Sequence, residues 1–205
     1  MAPAVDADCE RPAVHCPATY RALADNFSSK TVSPWCEHRK CLTTGHNGIF
    51  ATTSFAAGDV LCKFGHSAIY EQPTYQTLQV GASKHILLSP EWLENTNHSC
   101  DPNVFFNTEA SALLALRAIA PGDELCFFYP STEWAMGEPF ACRCGAATCL
   151  GHVAGASALT PQQLEGRRLT PYIQQRLAEA AAAKAATAEA AKAAEAAAPG
   201  GGGSG

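Results

Sequence analysis

Two stretches of this chain crowd polar and thiol side chains together. Asn97-His98-Ser99-Cys100-Asp101-Pro102-Asn103 sets a polar pair and a thiol directly after a run of apolar and amide side chains, Trp92, Leu93 and Asn95. Pro102 bars a helix across the segment and biases Asp101 towards extended backbone. The stretch therefore reads as a turn-rich loop leading into a strand at Val104-Phe105-Phe106, a natural place for a site. Cys142-Arg143-Cys144, followed by Cys149, is the strongest metal signal in the sequence. It offers three thiolates at close spacing. Structural zinc takes four ligands in a tetrahedron, so one more must come from elsewhere.

Composition limits what such a site could serve. The 205 residues are 47% apolar and 16% charged, which suits one domain with appendages and a buried core. The formal net charge is −5, and no basic patch is visible that would neutralise a duplex, so direct nucleic-acid binding is not expected. A mildly acidic protein suits a basic ligand such as a lysine-rich peptide. No long run of large apolar side chains free of charge is present, so neither a transmembrane helix nor another membrane role is expected. Met1 to Arg11 lacks the basic and apolar regions of a secretory signal. The ten cysteines are then expected as thiols and metal ligands in an intracellular protein, nuclear or cytoplasmic, rather than as disulfides.

The elements that must position these residues are short. Residues 1–44 read as a polar, partly irregular segment with a short helix at Tyr20 to Phe27. Its cysteines, Cys9, Cys16, Cys36 and Cys41, fit no common zinc module, and free thiols are the favoured reading over a second zinc site. Gly45 to Ala51 opens a strand-like run. Phe55-Ala56-Ala57-Gly58-Asp59-Val60-Leu61 and Ala118-Ile119-Ala120-Pro121-Gly122-Asp123-Glu124 repeat one design, an apolar stretch, a Gly-Asp turn and another apolar stretch. Leu61 to Tyr70 reads as a strand with a turn at Gly65, and Pro73 to Ser83 holds either irregular chain or a short helix. Ile86-Leu87-Leu88, Leu113 to Ile119 and Leu125 to Tyr129 read as strands, with a helical turn at Pro90 to Glu94. Leu159 to Leu177 reads as a helix capped by Thr160 with Pro161 at its first position. Ala178 to Ala198 reads as an exposed alanine helix with no apolar stripe to dock, stopped by Pro199 before a glycine-rich end.

Four elements, taken in order, resemble the SET-domain protein-lysine methyltransferases, which use S-adenosylmethionine. Gly48 matches the last glycine of the family's Gly-x-Gly element, although His46 stands where the first is expected and Gly45 lies one residue early. Asn97-His98-Ser99-Cys100-x-Pro102-Asn103 is similar to the family signature. Glu124-Leu125-Cys126-Phe127-Phe128-Tyr129 resembles Glu-Leu-x-Phe-Asp-Tyr with Phe128 in place of the aspartate, a change that must alter local packing. Cys142 to Gly151 looks like the family's post-SET tail. Glu94 occupies a position where many members carry an arginine, so that cofactor contact does not transfer.

The resemblance implies a mostly β fold with some α: small antiparallel sheets, a pseudoknot through which the Asn-His segment threads, a post-SET zinc segment and a C-terminal helix. The implied units are residues 1–44, a SET domain over 45–130, the zinc segment 131–155, a helix over 156–178 and a low-complexity tail over 179–205. It implies Tyr129 as the catalytic residue and Phe127 and Phe128 as the wall of a substrate channel. Cofactor contacts fall on Gly48, Ile49, Asn97, His98, Tyr129 and Leu150. Zinc ligands fall on Cys100, Cys142, Cys144 and Cys149. The expected partner is a lysine-bearing protein or peptide, a histone being the family's commonest, and phenylalanine at position 127 implies room for di- or trimethylation. The competing class is a zinc-stabilised peptide-binding module without turnover, which Glu94, the displaced glycine and Phe128 favour.

Overall fold

A computed structural model describes residues 26–43 and 45–197. The expectations on Cys9, Cys16, most of the Tyr20 helix and the glycine-rich end lie outside the described residues. The described part is built from small sheets. Strands β1 (Phe27–Ser33), β2 (Cys36–Cys41) and β3 (Asn47–Ala51) form one antiparallel sheet in that order. β5 (Gly65–Tyr70), β7 (Lys84–Ser89) and β6 (Leu78–Gly81) form a second, with β7 central. β4 (Val60–Lys63), β10 (Ala112–Ala115) and β9 (Val104–Asn107) form a third. Two short ladders complete it: β8 (Asn97–His98) with β11 (Cys126–Phe127), and β12 (Phe140–Ala141) with β13 (His152–Val153).

Most pairings are antiparallel. The exception is β8 with β11, which run parallel with Asn97 opposite Cys126 and His98 opposite Phe127. Ser99 N–H to Phe127 O at 3.0 Å and Asn103 N–H to Cys126 O at 3.1 Å extend that contact. The Asn103 side chain seals it, accepting from Cys126 N–H and donating to Glu124 O, both at 2.8 Å. A buried polar side chain needs such partners, and here the partners are the strand that leads to Tyr129.

The core explains the ordering of the sheets. Ile49, Leu93, Val104, Phe106, Leu113, Ile119 and Leu125 are each at most 2% exposed and belong to one apolar cluster. Burying each such side chain contributes about 1.5–3 kcal/mol. The two Gly-Asp turns are structural copies. Gly58 and Gly122 share φ of 91°, a left-handed conformation suited to glycine. The following aspartate accepts a backbone N–H in each, Ala56 N–H to Asp59 at 2.7 Å and Ala120 N–H to Asp123 at 2.9 Å.

Several elements differ from the sequence reading. Phe27–Ser33 and Cys36–Cys41 form a regular hairpin on β3 rather than irregular chain, and Phe27 starts a strand rather than ending a helix. The hairpin's outer strand is mostly exposed, so it carries no apolar alternation to read. Residues 73–83 contain β6 and no helix. The strand expected to reach Tyr129 stops at Phe127, and a 3-10 turn follows at Tyr129–Ser131. The C-terminal helix is two helices. α1 (Pro161–Leu164) carries a capping box, with the Thr160 hydroxyl accepting from Gln163 N–H and the Gln163 side chain accepting from Thr160 N–H. α2 (Pro171–Ala197) begins afresh and continues through the alanine run. Ile173 and Thr170 dock its start, and its side chains are exposed from Ala178 to Ala194. No described helix is long and apolar enough to cross a membrane.

Candidate active site

The site forms where the β8–β11 ladder meets the 3-10 turn. His98 is fully buried and ties three segments together. Its Nδ1 accepts from Tyr129 N–H at 3.2 Å, so its Nε2 carries the proton and faces Cys100 Sγ at 3.2 Å. Burial, with Arg167 adding to it, lowers His98 to about 3, so the ring is neutral. The Asn97 amide donates to Asn47 O and to Glu124 Oε1, both at 2.7 Å, with His46 Nε2 at 3.1 Å. A Cβ on Gly48 would sit 2.5 Å from Glu124 Oε1 and 2.9 Å from Asn97 Nδ2, so only glycine lets β3 close on this pair. The side chains of Asn97 and His98 are thus spent on the protein. Ile49 is likewise core, its carbonyl accepting from Leu125 N–H at 2.7 Å. These side chains brace the site.

A cavity of about 530 Å³ opens beside them, with Phe127, Tyr129, Thr96, Glu133 and Phe140 in its wall. The Tyr129 hydroxyl donates to Thr96 O at 3.3 Å. Burial, then the charges of Cys126, Glu124 and Glu133, raises its pKa, so it stays a donor. The Phe127 ring lies 4.7 Å from the Tyr129 ring and 4.8 Å from Phe106. Thr96 Oγ1 is buried without a partner. Aromatic faces and a carbonyl suit a ligand with an apolar stem and a cationic centre, as sulfonium or ammonium compounds have.

Phe128 corrects the channel expectation. Its ring turns away from this cavity, packing 5.8 Å from His98 with the Arg167 guanidinium 4.6 Å above it. Arg167 also donates to Cys100 O and, at 3.1 Å, to Thr148 Oγ1. An aromatic face beneath an arginine is the packing that accompanies the missing aspartate.

The four predicted ligand cysteines come together. Cys100, Cys142, Cys144 and Cys149 place their sulfurs within 4.8 Å of one another, Cys100 and Cys142 at 3.9 Å. Four thiolates at 2.3 Å around zinc would stand ~3.8 Å apart, so the all-sulfur set fits that ion. Leu150 N–H donates to Cys100 Sγ at 3.4 Å, which puts this residue's backbone at the cysteine cluster. It is the one such cluster among the described residues. Cys36 and Cys41 are buried at opposite ends of β2. Burial, then Cys62, pushes Cys36 up to about 12, as expected of inert thiols.

A family model for the SET domain matches residues 46–130. The chain is 36% identical over 124 residues to Methyltransferase flvH of Aspergillus flavus, an alignment spanning 60% of this chain and 69% of that protein. The chain belongs to the SET-domain family. Among solved structures it is similar to KRYPTONITE in complex with mCHG DNA and SAH, with 18% identity, TM-score 0.42, and coverage of 55% of this chain and 27% of that one. KRYPTONITE in complex with mCHH DNA, an H3(1-15) peptide and SAH gives 19% identity, TM-score 0.38, and coverage of 55% and 28%. The chain spans about a quarter of the length of those two structures.

Sequence reasoning missed Glu133, Thr96 and Arg167 as parts of this SET-domain site. Glu133 left one signal, a carboxylate four residues after Tyr129 in an aromatic run. Arg167 left none, since nothing local ties it to Phe128.

Proposed function

We propose that this SET-domain protein transfers methyl groups from S-adenosylmethionine to the side-chain amine of a lysine in a protein, with a histone tail as the first substrate to test. The carrying observation is Tyr129 and Phe127 in one cavity wall, with the Tyr129 hydroxyl fixed on Thr96 O at 3.3 Å. S-adenosylmethionine supplies an electrophilic methyl on a positively charged sulfur. A lysine amine attacks it only when unprotonated, and its ordinary pKa of about 10.4 works against that at neutral pH. The rings of Phe127, Tyr129 and Phe140 exclude water and disfavour the ammonium. Tyr129 and the Thr96 carbonyl hold the reacting groups in line, so alignment and fixed dipoles supply most of the acceleration. Zinc on Cys100, Cys142, Cys144 and Cys149 takes no part in the transfer and fixes the C-terminal segment over the site. Phe127 lacks a hydroxyl to occupy the space beside the amine, which favours di- and trimethyl-lysine.

Incubation with labelled S-adenosylmethionine and core histones or a protein extract tests this reading. Label on lysine that depends on Tyr129 supports it. Absence of transfer, with peptide binding retained, would support the non-catalytic module that Glu94 favours.

A further inference from the structure

Glu133 has no role in the chemistry above, yet it stands in the same cavity wall as Tyr129 and Phe127. The 3-10 turn after Tyr129 places it, with Glu133 N–H on Tyr129 O at 3.0 Å. Its side chain is buried, at 7% exposure. Oε1 accepts from Gln79 N–H at 2.8 Å and from the Thr132 hydroxyl at 3.2 Å. Gln79 is fixed in turn, accepting from Trp134 N–H at 2.8 Å and donating to the Tyr172 hydroxyl at 3.3 Å. Among the described residues no lysine or arginine forms an ion pair with Glu133. A buried carboxylate without a cation is costly. A glutamine would keep both anchoring hydrogen bonds at lower cost, so structure alone does not account for the charge.

We propose that Glu133 receives the ammonium of the target side chain inside the cavity and takes its proton, leaving a free amine for transfer. The proposal rests on the methyl-transfer reading. In the step one N–H bond of the ammonium breaks, its electron pair stays on nitrogen, and an O–H bond forms on the Glu133 carboxylate. Glu133 later returns that proton to water, so each turnover releases one proton.

The surroundings match this task. Burial raises Glu133 to about 7, against the pull of the hydrogen bonds from Gln79 and Thr132. An ordinary carboxylate lies about six units below a lysine amine, and this one about three. Dehydration of the ammonium in an apolar channel narrows the gap further. The other ionisable groups near it are Tyr129 in the same wall, Glu94, Glu138 and Arg143 around the cavity, and Tyr172 on Gln79. Arg176 is stacked 4.8 Å over Trp134, and His85 pairs with Gln79 across β6 and β7, kept neutral by burial. Glu94 and Glu133 against Arg143 make the cavity suited to a cation.

Glu133→Gln keeps shape and removes the charge. Two measurements decide. In methyl transfer to a lysine-peptide pool, kcat of wild type should rise through pH 7, and E133Q should lose that rise. Its kcat at pH 8 should fall about 100-fold, in the range of general-base catalysis. S-adenosylmethionine affinity should stay unchanged, and Glu133→Asp should recover part of the rate. Independently of activity, ligand-observed NMR with butylammonium and with butanol should show wild type preferring the ammonium about tenfold at pH 8, and E133Q showing no preference. Unchanged kcat and pH profile in E133Q, or equal butylammonium binding by both proteins, overturns the proposal. An ammonium preference that depends on Glu133, in a protein that transfers no methyl, upholds capture by Glu133 and removes the methyltransferase reading instead.

Discussion

At the scale of single residues, the site separates groups that face the cavity from groups that brace it. Tyr129 faces it, and Tyr129→Phe removes one oxygen and little volume. Methyl transfer should fall by about 100-fold or more, as when one fixed donor is lost, while S-adenosylmethionine still binds by calorimetry. Phe127→Tyr adds a hydroxyl beside the amine and should shift products towards monomethyl-lysine in a mass spectrum without abolishing turnover. Wild type that stops at monomethyl-lysine at long times would contradict the role given to Phe127. Gly48 braces, and its replacement by alanine forces a Cβ to 2.5 Å from Glu124 Oε1. A loss of about 1–3 kcal/mol is expected from such overpacking, measured by urea unfolding. The sequence showed the polar pair and the Cys142, Cys144 and Cys149 tail because each is local, while Cys100, 42 positions before Cys142, joined them only through the family resemblance. It did not show that Phe128 turns from the cavity, because that depends on Arg167, thirty-nine positions later in the chain.

At the scale of elements, the C-terminal segment is held by arginines resting on aromatic rings. Arg167 lies over Phe128 at 4.6 Å, Arg168 over Phe105 at 4.8 Å and Arg176 over Trp134 at 4.8 Å. Arg167→Ala removes a stacked cation and its bonds to Cys100 O and Thr148, and should cost about 2 kcal/mol. It should also speed zinc release to a chelator, because Arg167 holds the backbone of Cys100, one of the four clustered thiols. Deleting residues 180–205 should leave melting temperature and cofactor binding unchanged, since the helix side chains from Ala178 to Ala194 are exposed. The alanine helix was legible from propensity. The break between Glu165 and Thr170 was not, because Thr170 ends it through tertiary bonds, its N–H and hydroxyl donating to Ser131 O at 2.9 and 3.0 Å. The Phe27–Cys41 hairpin was hidden for a similar reason, as its register rests on β3 rather than on its own pattern.

At the scale of the whole molecule, the same burial that tunes the cavity sets a pH dependence. Glu133 has its folded pKa raised from 4.5 to about 7. The folded state therefore binds this proton more tightly than the unfolded chain. The stabilisation is fully present below 4.5 and is lost as pH rises through 7. Its size is roughly 3 kcal/mol by that shift, and E133Q should lack this slope in urea unfolding between pH 4.5 and 7. Several strands, the Gly-Asp turns and the cysteine tail were legible because apolar runs, turn residues and thiol spacing are local. The cavity was not, because Gln79, Thr96, Tyr129 and Glu133 meet only when β6, β8 and the 3-10 turn converge. On the proposed function, this convergence makes a lysine methyltransferase centred on Tyr129. The most direct measurement is mass spectrometry of histone and extract peptides after incubation with deuterium-labelled S-adenosylmethionine. Wild type should give labelled di- or trimethyl-lysine, and Tyr129→Phe almost none. No labelled lysine with wild type, or equal labelling by both proteins, would contradict that function.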